Sequence, residues 1–164
     1  MSKVHDAYPG KNLYFIEFMA EDLQHPDLMP VAEPVSGTVI GAIRNWSRIV
    51  LLWNLAADPH FGPHTNDGGC GICQGAITID GDAVTRNLAY YVIAHFAKFV
   101  RPGSVRIASS GPETLPNVAF QTTNGQTVAV VANISGSTQT FSLAVRGRIA
   151  TATLKAGAVA TCIW

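Results

Sequence analysis

Leu13-Tyr14-Phe15-Ile16-Glu17 joins four apolar residues, three of them aromatic or β-branched, to a closing carboxylate. Such a run predicts a buried strand. A carboxylate at the C-terminal end of that strand is costly to bury unpaired. Glu17 is therefore a candidate functional group as well as a simple strand-end acceptor of hydrogen bonds. Upstream, Pro9-Gly10 marks a turn. Downstream, Pro26, Pro30 and Pro34 are expected to keep residues 21–35 irregular. Ser36 is a plausible N-cap, and Val39, Ile40, Ile43, Trp46, Ile49 and Val50 follow helical spacing. Val50-Leu51-Leu52-Trp53-Asn54 reads as a second buried strand. The order strand, loop, helix, strand suggests parallel βα units.

Residues 55–75 predict a long loop holding five Gly, two Pro, two His and two of the three cysteines. A loop of that length in a compact domain is usually functional or disordered. Its Cys70-Gly71-Ile72-Cys73 admits a redox pair, half of a zinc site, or a short disulfide; His60 and His64 could in principle complete a zinc set. The absence of a second CxxC excludes a four-cysteine site, and a loop-closing disulfide or free thiols is the better reading. Ala76–Ile79 predicts a short strand and Thr85–Val100 a helix, ended by Arg101-Pro102-Gly103. Beyond Gly103 come six short β-type runs: 105–107, 118–120, 127–132, 139–145, 150–154 and 159–164. Asn124-Gly125 between two of them is a strong hairpin signal. This half predicts an antiparallel sheet or sandwich. The boundary is expected near Arg101–Ser104.

Composition narrows the function classes. Lys plus Arg and Asp plus Glu both number 11, so the net charge is zero. That offers no general electrostatic attraction to nucleic acid or anionic membrane. Charged residues are 13%, about half the usual share, and hydrophobic residues 48%. The chain is not disordered by composition, and it carries more apolar surface than its size buries easily. The longest apolar candidate, Ile49–Ala57, is broken by Asn54 and far short of the ~18 residues a membrane helix requires. Residues 1–6 lead into a polar stretch rather than an apolar signal core. Trp53-Asn54 ends its strand as Glu17 does, and a ring beside an amide suits sugar stacking and hydroxyl recognition. The plainer alternatives are a core Trp53 with a turn Asn54, solvated loop histidines at 60 and 64, a packing His95 and a core Trp46. No phosphate loop or serine nucleophile elbow is present.

Several motifs occur in order: Tyr14-Phe15-Ile16-Glu17, Arg44-Asn45-Trp46-Ser47-Arg48, Trp53-Asn54-Leu55-Ala56, Phe61-Gly62-Pro63-His64-Thr65, Gly68-Gly69-Cys70, Gly75–Ile79 and Tyr90–Phe99. Together they closely resemble glycoside hydrolase family 30, which includes glucosylceramidases and endo-β-1,6-glucanases. The resemblance runs from about Val4 to Trp164.

The resemblance implies an α+β chain: the last two βα units of a (β/α)8 TIM barrel over 1–101, then an antiparallel β-sandwich over 102–164. It implies a retaining glycosidase acting on β-glucosides, either glucosylceramide or β-1,6-glucan, with no cofactor and no metal. Glu17 falls on the nucleophile at the end of the seventh barrel strand. Trp53 falls on a substrate-contacting residue near the end of the eighth, with Asn54 beside it. Asn66 in the following loop is a further sugar-contact candidate. Relatives are commonly secreted or lysosomal, which would suit a Cys70–Cys73 disulfide. The compartment of this chain is left open. The family's acid/base glutamate would lie upstream of residue 1, and Glu21 and Asp22 do not match it. The chain thus resembles the C-terminal part of such an enzyme, with the apolar faces of Leu13–Ile16 and Val50–Trp53 exposed. Two alternatives follow. One is a non-catalytic fragment, inert or bound to a chain that supplies the missing strands. The other is a carbohydrate-binding module, disfavoured because Phe120, Phe141 and Trp164 read as core.

Overall fold

The computed structural model describes residues 1–21 and 31–164. They form a mixed helix and strand structure in two compact units, 1–21 with 45–93, and 31–44 with 94–164.

The first unit opens with helix α1 (Ser2–Ala7) and strand β1 (Leu13–Phe15). β1 pairs in parallel with β3 (Ser47–Val50), with Leu13 opposite Ser47 and Phe15 opposite Val50, so one residue is slipped between the two pairs. The Ser47 hydroxyl sits at that slip. It accepts the Phe15 N–H at 2.9 Å and donates to the Ile49 carbonyl at 2.7 Å, satisfying backbone that the irregular register leaves over. Pairing continues past the strands: Leu51 N–H donates to Phe15 O at 2.9 Å, and Trp53 N–H to Phe18 O at 2.7 Å. Strand β2 (Ala20–Glu21) then pairs antiparallel with β5 (Cys73–Gln74). β4 (Ala56–Ala57) runs parallel to β6 (Ile77–Asp80), which turns at Gly81 (φ 56°) into β7 (Ala83–Arg86). Helix α4 (Leu88–Ala97) leads from the first unit into the second.

The second unit holds α2 (Ala32–Pro34), a π-helical stretch over Val35–Ile40 and α3 (Gly41–Arg44). Its main sheet is antiparallel in the order β13 (Val159–Ile163), β10 (Thr127–Ala132), β9 (Asn117–Gln121), β8 (Val105–Ile107). Every residue of β10 is buried. A second, two-stranded sheet pairs β11 (Gln139–Val145) with β12 (Arg148–Leu154). Phe141 and Leu143 of β11 pack with Val131 of β10, Leu154 and Leu115, so the two sheets close on one apolar layer. That is sandwich packing. Arg44 Nη1 ties the helical segment to this sheet by donating to Asn117 O at 2.8 Å.

Several expectations need correction. Helix begins at Ala32, ahead of the expected N-cap Ser36, and Pro34 lies within it. Ser36 is no N-cap: its hydroxyl donates back to the Glu33 carbonyl at 3.0 Å. The helix ends at Arg44, so Ile49 and Val50 belong to β3, which starts three residues earlier than expected. Thr85 lies in a strand rather than a helix, because Asp80-Gly81-Asp82 turns the chain back on β6. Trp46 is not core. It is exposed, adopts φ 73°, and stacks on His5 with ring centroids 3.7 Å apart. Pro26, Pro30 and Asp22 lie outside the described residues. Tyr14, Ile16, Leu51 and Trp53 are exposed, against the buried-strand reading of the two runs but as expected of a C-terminal part alone. Among the described residues, no helix is long and apolar enough to cross a membrane.

Candidate active site

The candidate residues Glu17 and Trp53-Asn54 follow the C-terminal ends of β1 and β3. Glu17 lies two residues past β1, is exposed, and directly precedes Phe18, the residue whose carbonyl receives the Trp53 N–H. The next residue, Met19, is bridged in parallel to Trp53. Parallel pairing thus holds the backbone of Glu17 alongside Trp53-Asn54 at one end of the sheet. The Trp53–Asn54 peptide is cis.

Trp53 and Asn54 line a pocket of about 340 Å³ with Phe61, Pro63, His64 and Thr65 from the following loop. Gly69, Cys70 and Cys73 complete the lining. Cys70 and Cys73 are disulfide-bonded, and Cys162 is a free thiol. Cys73 Sγ is 3.0 Å from the Met19 thioether. With β2 on β5, the segment after Glu17 is therefore held between Trp53 on one side and the disulfide on the other. Asn66 does not line the pocket; it is exposed in the turn beyond Thr65.

Asn54 anchors the site through its backbone, whose carbonyl accepts the Ala76 N–H at 2.8 Å. Its side-chain Oδ1 is buried and has no hydrogen-bond partner among the described residues. An orphaned acceptor costs roughly 1–3 kcal/mol, which a donor reaching it would recover. Gly75 approaches the Ala56–Ala57 backbone closely: an added Cβ would stand 2.7 Å from Ala57 N.

The loop after Asn54 is braced by Asp58, which sequence reasoning passed over. Asp58 Oδ1 accepts the N–H of His60 at 2.7 Å and of Gly62 at 2.9 Å. Those backbone bonds hold the Asp58 carboxyl below the ordinary carboxylate value, helped by the charges of His60 and His64. Phe61, Pro63 and Thr65 were missed as pocket residues, although Asp58-Pro59 and Gly62-Pro63 flag an ordered turn. His60 offers its backbone here, while His64 lines the pocket. His95 is remote in role: Nδ1 is 3.0 Å from Thr161 Oγ1, and partial burial lowers its pKa. Among the described residues, no group of three or more His, Cys, Asp or Glu is placed to hold a metal.

Comparisons with known proteins bear on this arrangement. Residues 103–162 match the glycosyl hydrolase family 30 beta sandwich domain. An endo-1,6-β-D-glucanase of Aspergillus fumigatus is 31% identical over 84% of this chain and 28% of its own length. One of Trichoderma harzianum is 30% identical, with the same two coverages. The chain thus spans less than a third of these curated relatives. A solved endo-β1,6-glucanase superposes with a TM-score of 0.86 at 31% identity, over 98% of this chain and 37% of that one. SrfJ from Salmonella typhimurium shares the fold at a TM-score of 0.89 and 24% identity, over 99% and 37% of the two chains. The sandwich match, the sequence relatives and the solved structure together support a C-terminal part of glycoside hydrolase family 30.

Proposed function

We propose that this chain is the nucleophile-bearing part of a retaining β-glucan hydrolase that cleaves β-1,6-linked glucose polymers. The observation that supports the reading is the backbone pairing of Phe18 and Met19 with Trp53, which brings the segment just after Glu17 next to Trp53-Asn54, where the Asn54 Oδ1 has no partner among the described residues. Residues 1–101 would be the last two βα units of a (β/α)8 barrel, and 102–164 a sandwich domain. Glu17 attacks the anomeric carbon and displaces the leaving oxygen, giving a glycosyl ester that water then hydrolyses. Trp53 offers its face to the apolar side of a glucose ring. Asn54 and Asn66 offer amides to hydroxyls. The acid that protonates the leaving oxygen stands ~5–5.5 Å from such a nucleophile and would come from a segment outside these 164 residues. The names of the relatives favour β-1,6-glucan over glucosylceramide.

The test separates the two carboxylates. A dinitrophenyl β-glucoside has a leaving group that requires no acid, whereas β-1,6-glucan does. We expect slow turnover of the aryl glucoside by the chain, abolished in Glu17→Gln, and glucan cleavage slower than in a complete enzyme by at least ~10²-fold for want of the acid. Equal aryl glucoside turnover by the wild type and Glu17→Gln would remove Glu17 from the mechanism. A second reading, a non-catalytic piece bound to a chain that supplies further strands, is favoured by one observation: among the described residues β1 and β3 pair only with each other, and Tyr14 and Ile49 on them, with Ile16 and Leu51 just beyond, are exposed.

A further inference from the structure

We propose that Asp58 is a positioning residue, whose carboxylate holds the 58–65 loop in the conformation that sets Phe61, Pro63 and His64 around the pocket beside Trp53. The consequence for sugar binding rests on the preceding reading of that pocket. The contact between Asp58 and its loop does not.

Four hydrogen bonds run between Asp58 and the next four residues. Its Oδ1 accepts from His60 N–H and Gly62 N–H. Its own N–H donates to Gly62 O at 2.8 Å, and its carbonyl accepts Phe61 N–H at 3.1 Å. The loop closes tightly on the carboxylate: a Cβ on Gly62 would come 2.7 Å from Asp58 Oδ2. Phe61 sits at φ 64°, a left-handed conformation that a bulky side chain does not choose alone. An exposed loop without such bonds would let Phe61 return to an ordinary backbone angle, and its ring would leave the pocket. Bonds from N–H groups to a carboxylate are charge-assisted and short, as these are. The charged groups facing the carboxylate are His60 and His64, both on this loop, and both favour its ionised form. Asp58 is itself exposed, and its side-chain hydrogen bonds stay within its own loop. This separates a positioning role from a general contribution to folding.

The experiment uses the whole chain in three forms: wild type, Asp58→Asn and Asp58→Ala. Amide exchange and backbone resonances report the loop, the Trp53 indole resonance reports the pocket, and titration with the β-1,6-linked glucose disaccharide reports affinity. In Asp58→Ala, the His60 and Gly62 amides should lose protection and the Phe61, His64 and Trp53 resonances should move, with the melting temperature unchanged. Asp58→Asn keeps an acceptor oxygen and should stay near wild type. Disaccharide affinity should fall about tenfold in Asp58→Ala alone. Trp53 and His64 resonances unmoved in Asp58→Ala would overturn the proposal, as would Asp58→Asn behaving like Asp58→Ala. Moved resonances with no disaccharide binding by any form would support the positioning role and count against the sugar-site reading.

Discussion

Asn133 shows how much one buried amide can organise. It is fully buried at the end of β10. Its Nδ2 lies within hydrogen-bond distance of the carbonyls of Ser137, Leu154 and Lys155 at 2.9, 3.0 and 3.1 Å. Its Oδ1 accepts from Ser135 N and Oγ at 3.0 and 2.7 Å. Asn133→Ala strands several of these groups away from water, and each buried orphan is costly. We expect a loss of about 2–4 kcal/mol in urea unfolding; a loss below about 1 would show that water replaces the amide. Nothing in Ala132-Asn133-Ile134-Ser135 announces this role, since as sequence it reads as a strand end followed by a turn. His95 makes the complementary case for pH. Burial lowers its folded pKa below the ordinary 6.5, so the unfolded chain binds the proton more readily. Stability should therefore fall as pH drops below 6.5 toward the folded value, and His95→Gln should flatten that part of the profile. A slope unchanged in His95→Gln would assign the dependence to another group.

At the scale of elements, legibility followed the strength of local signals. The six β runs after Gly103 were legible because β-branched residues alternate with turn residues. The Asn124-Gly125 hairpin formed where expected, with Gly125 at φ 86° between β9 and β10. The helix before β3 was misplaced because Pro34 was read as a breaker, although proline is tolerated in the first turn of a helix. The β6–β7 hairpin was hidden because Thr85 abuts a real helix and its strand is short. Gly75 explains why β4 and β6 can meet at all: its hydrogen atom faces the Ala56–Ala57 backbone, where a methyl would stand 2.7 Å away. Gly75→Ala should push the strands apart, lower stability by roughly 1–3 kcal/mol and speed exchange of the Ala76 and Ile77 amides, which are bonded to Asn54 and Leu55. Wild-type exchange at both amides would mean that the backbone yields elsewhere. Of the candidates read at strand ends, Trp53 and Asn54 line the pocket, while Glu17 lies on the neighbouring segment outside that lining. Asp58 and Phe61 were not legible, since a loop clamp made of backbone N–H groups leaves no pattern in side-chain types.

At the scale of the molecule, the first unit and the second contrast in how they treat apolar surface. The sandwich encloses β10 completely. The first unit leaves a two-stranded parallel sheet with Tyr14 and Ile49 exposed on its strands and Ile16 (69%) and Leu51 (51%) exposed just beyond them. Parallel sheets are stable when both faces are covered, and exposed apolar strands with open edges attract other chains. The 48% hydrophobic and 13% charged composition is the sequence-level trace of the same imbalance. The chain on its own should therefore bind a fluorescent apolar dye such as ANS and associate with rising concentration. Ile16→Lys combined with Leu51→Lys should reduce both, because a charged ammonium on each strand repels a second copy and cannot be buried unpaired. The sandwich should keep its fold in that double variant, since neither residue belongs to the second unit. Light scattering during size-exclusion chromatography reads the outcome: an unchanged oligomer in the double variant would place the sticky surface elsewhere, whereas a monomer would locate it on the sheet that carries Glu17 and Trp53.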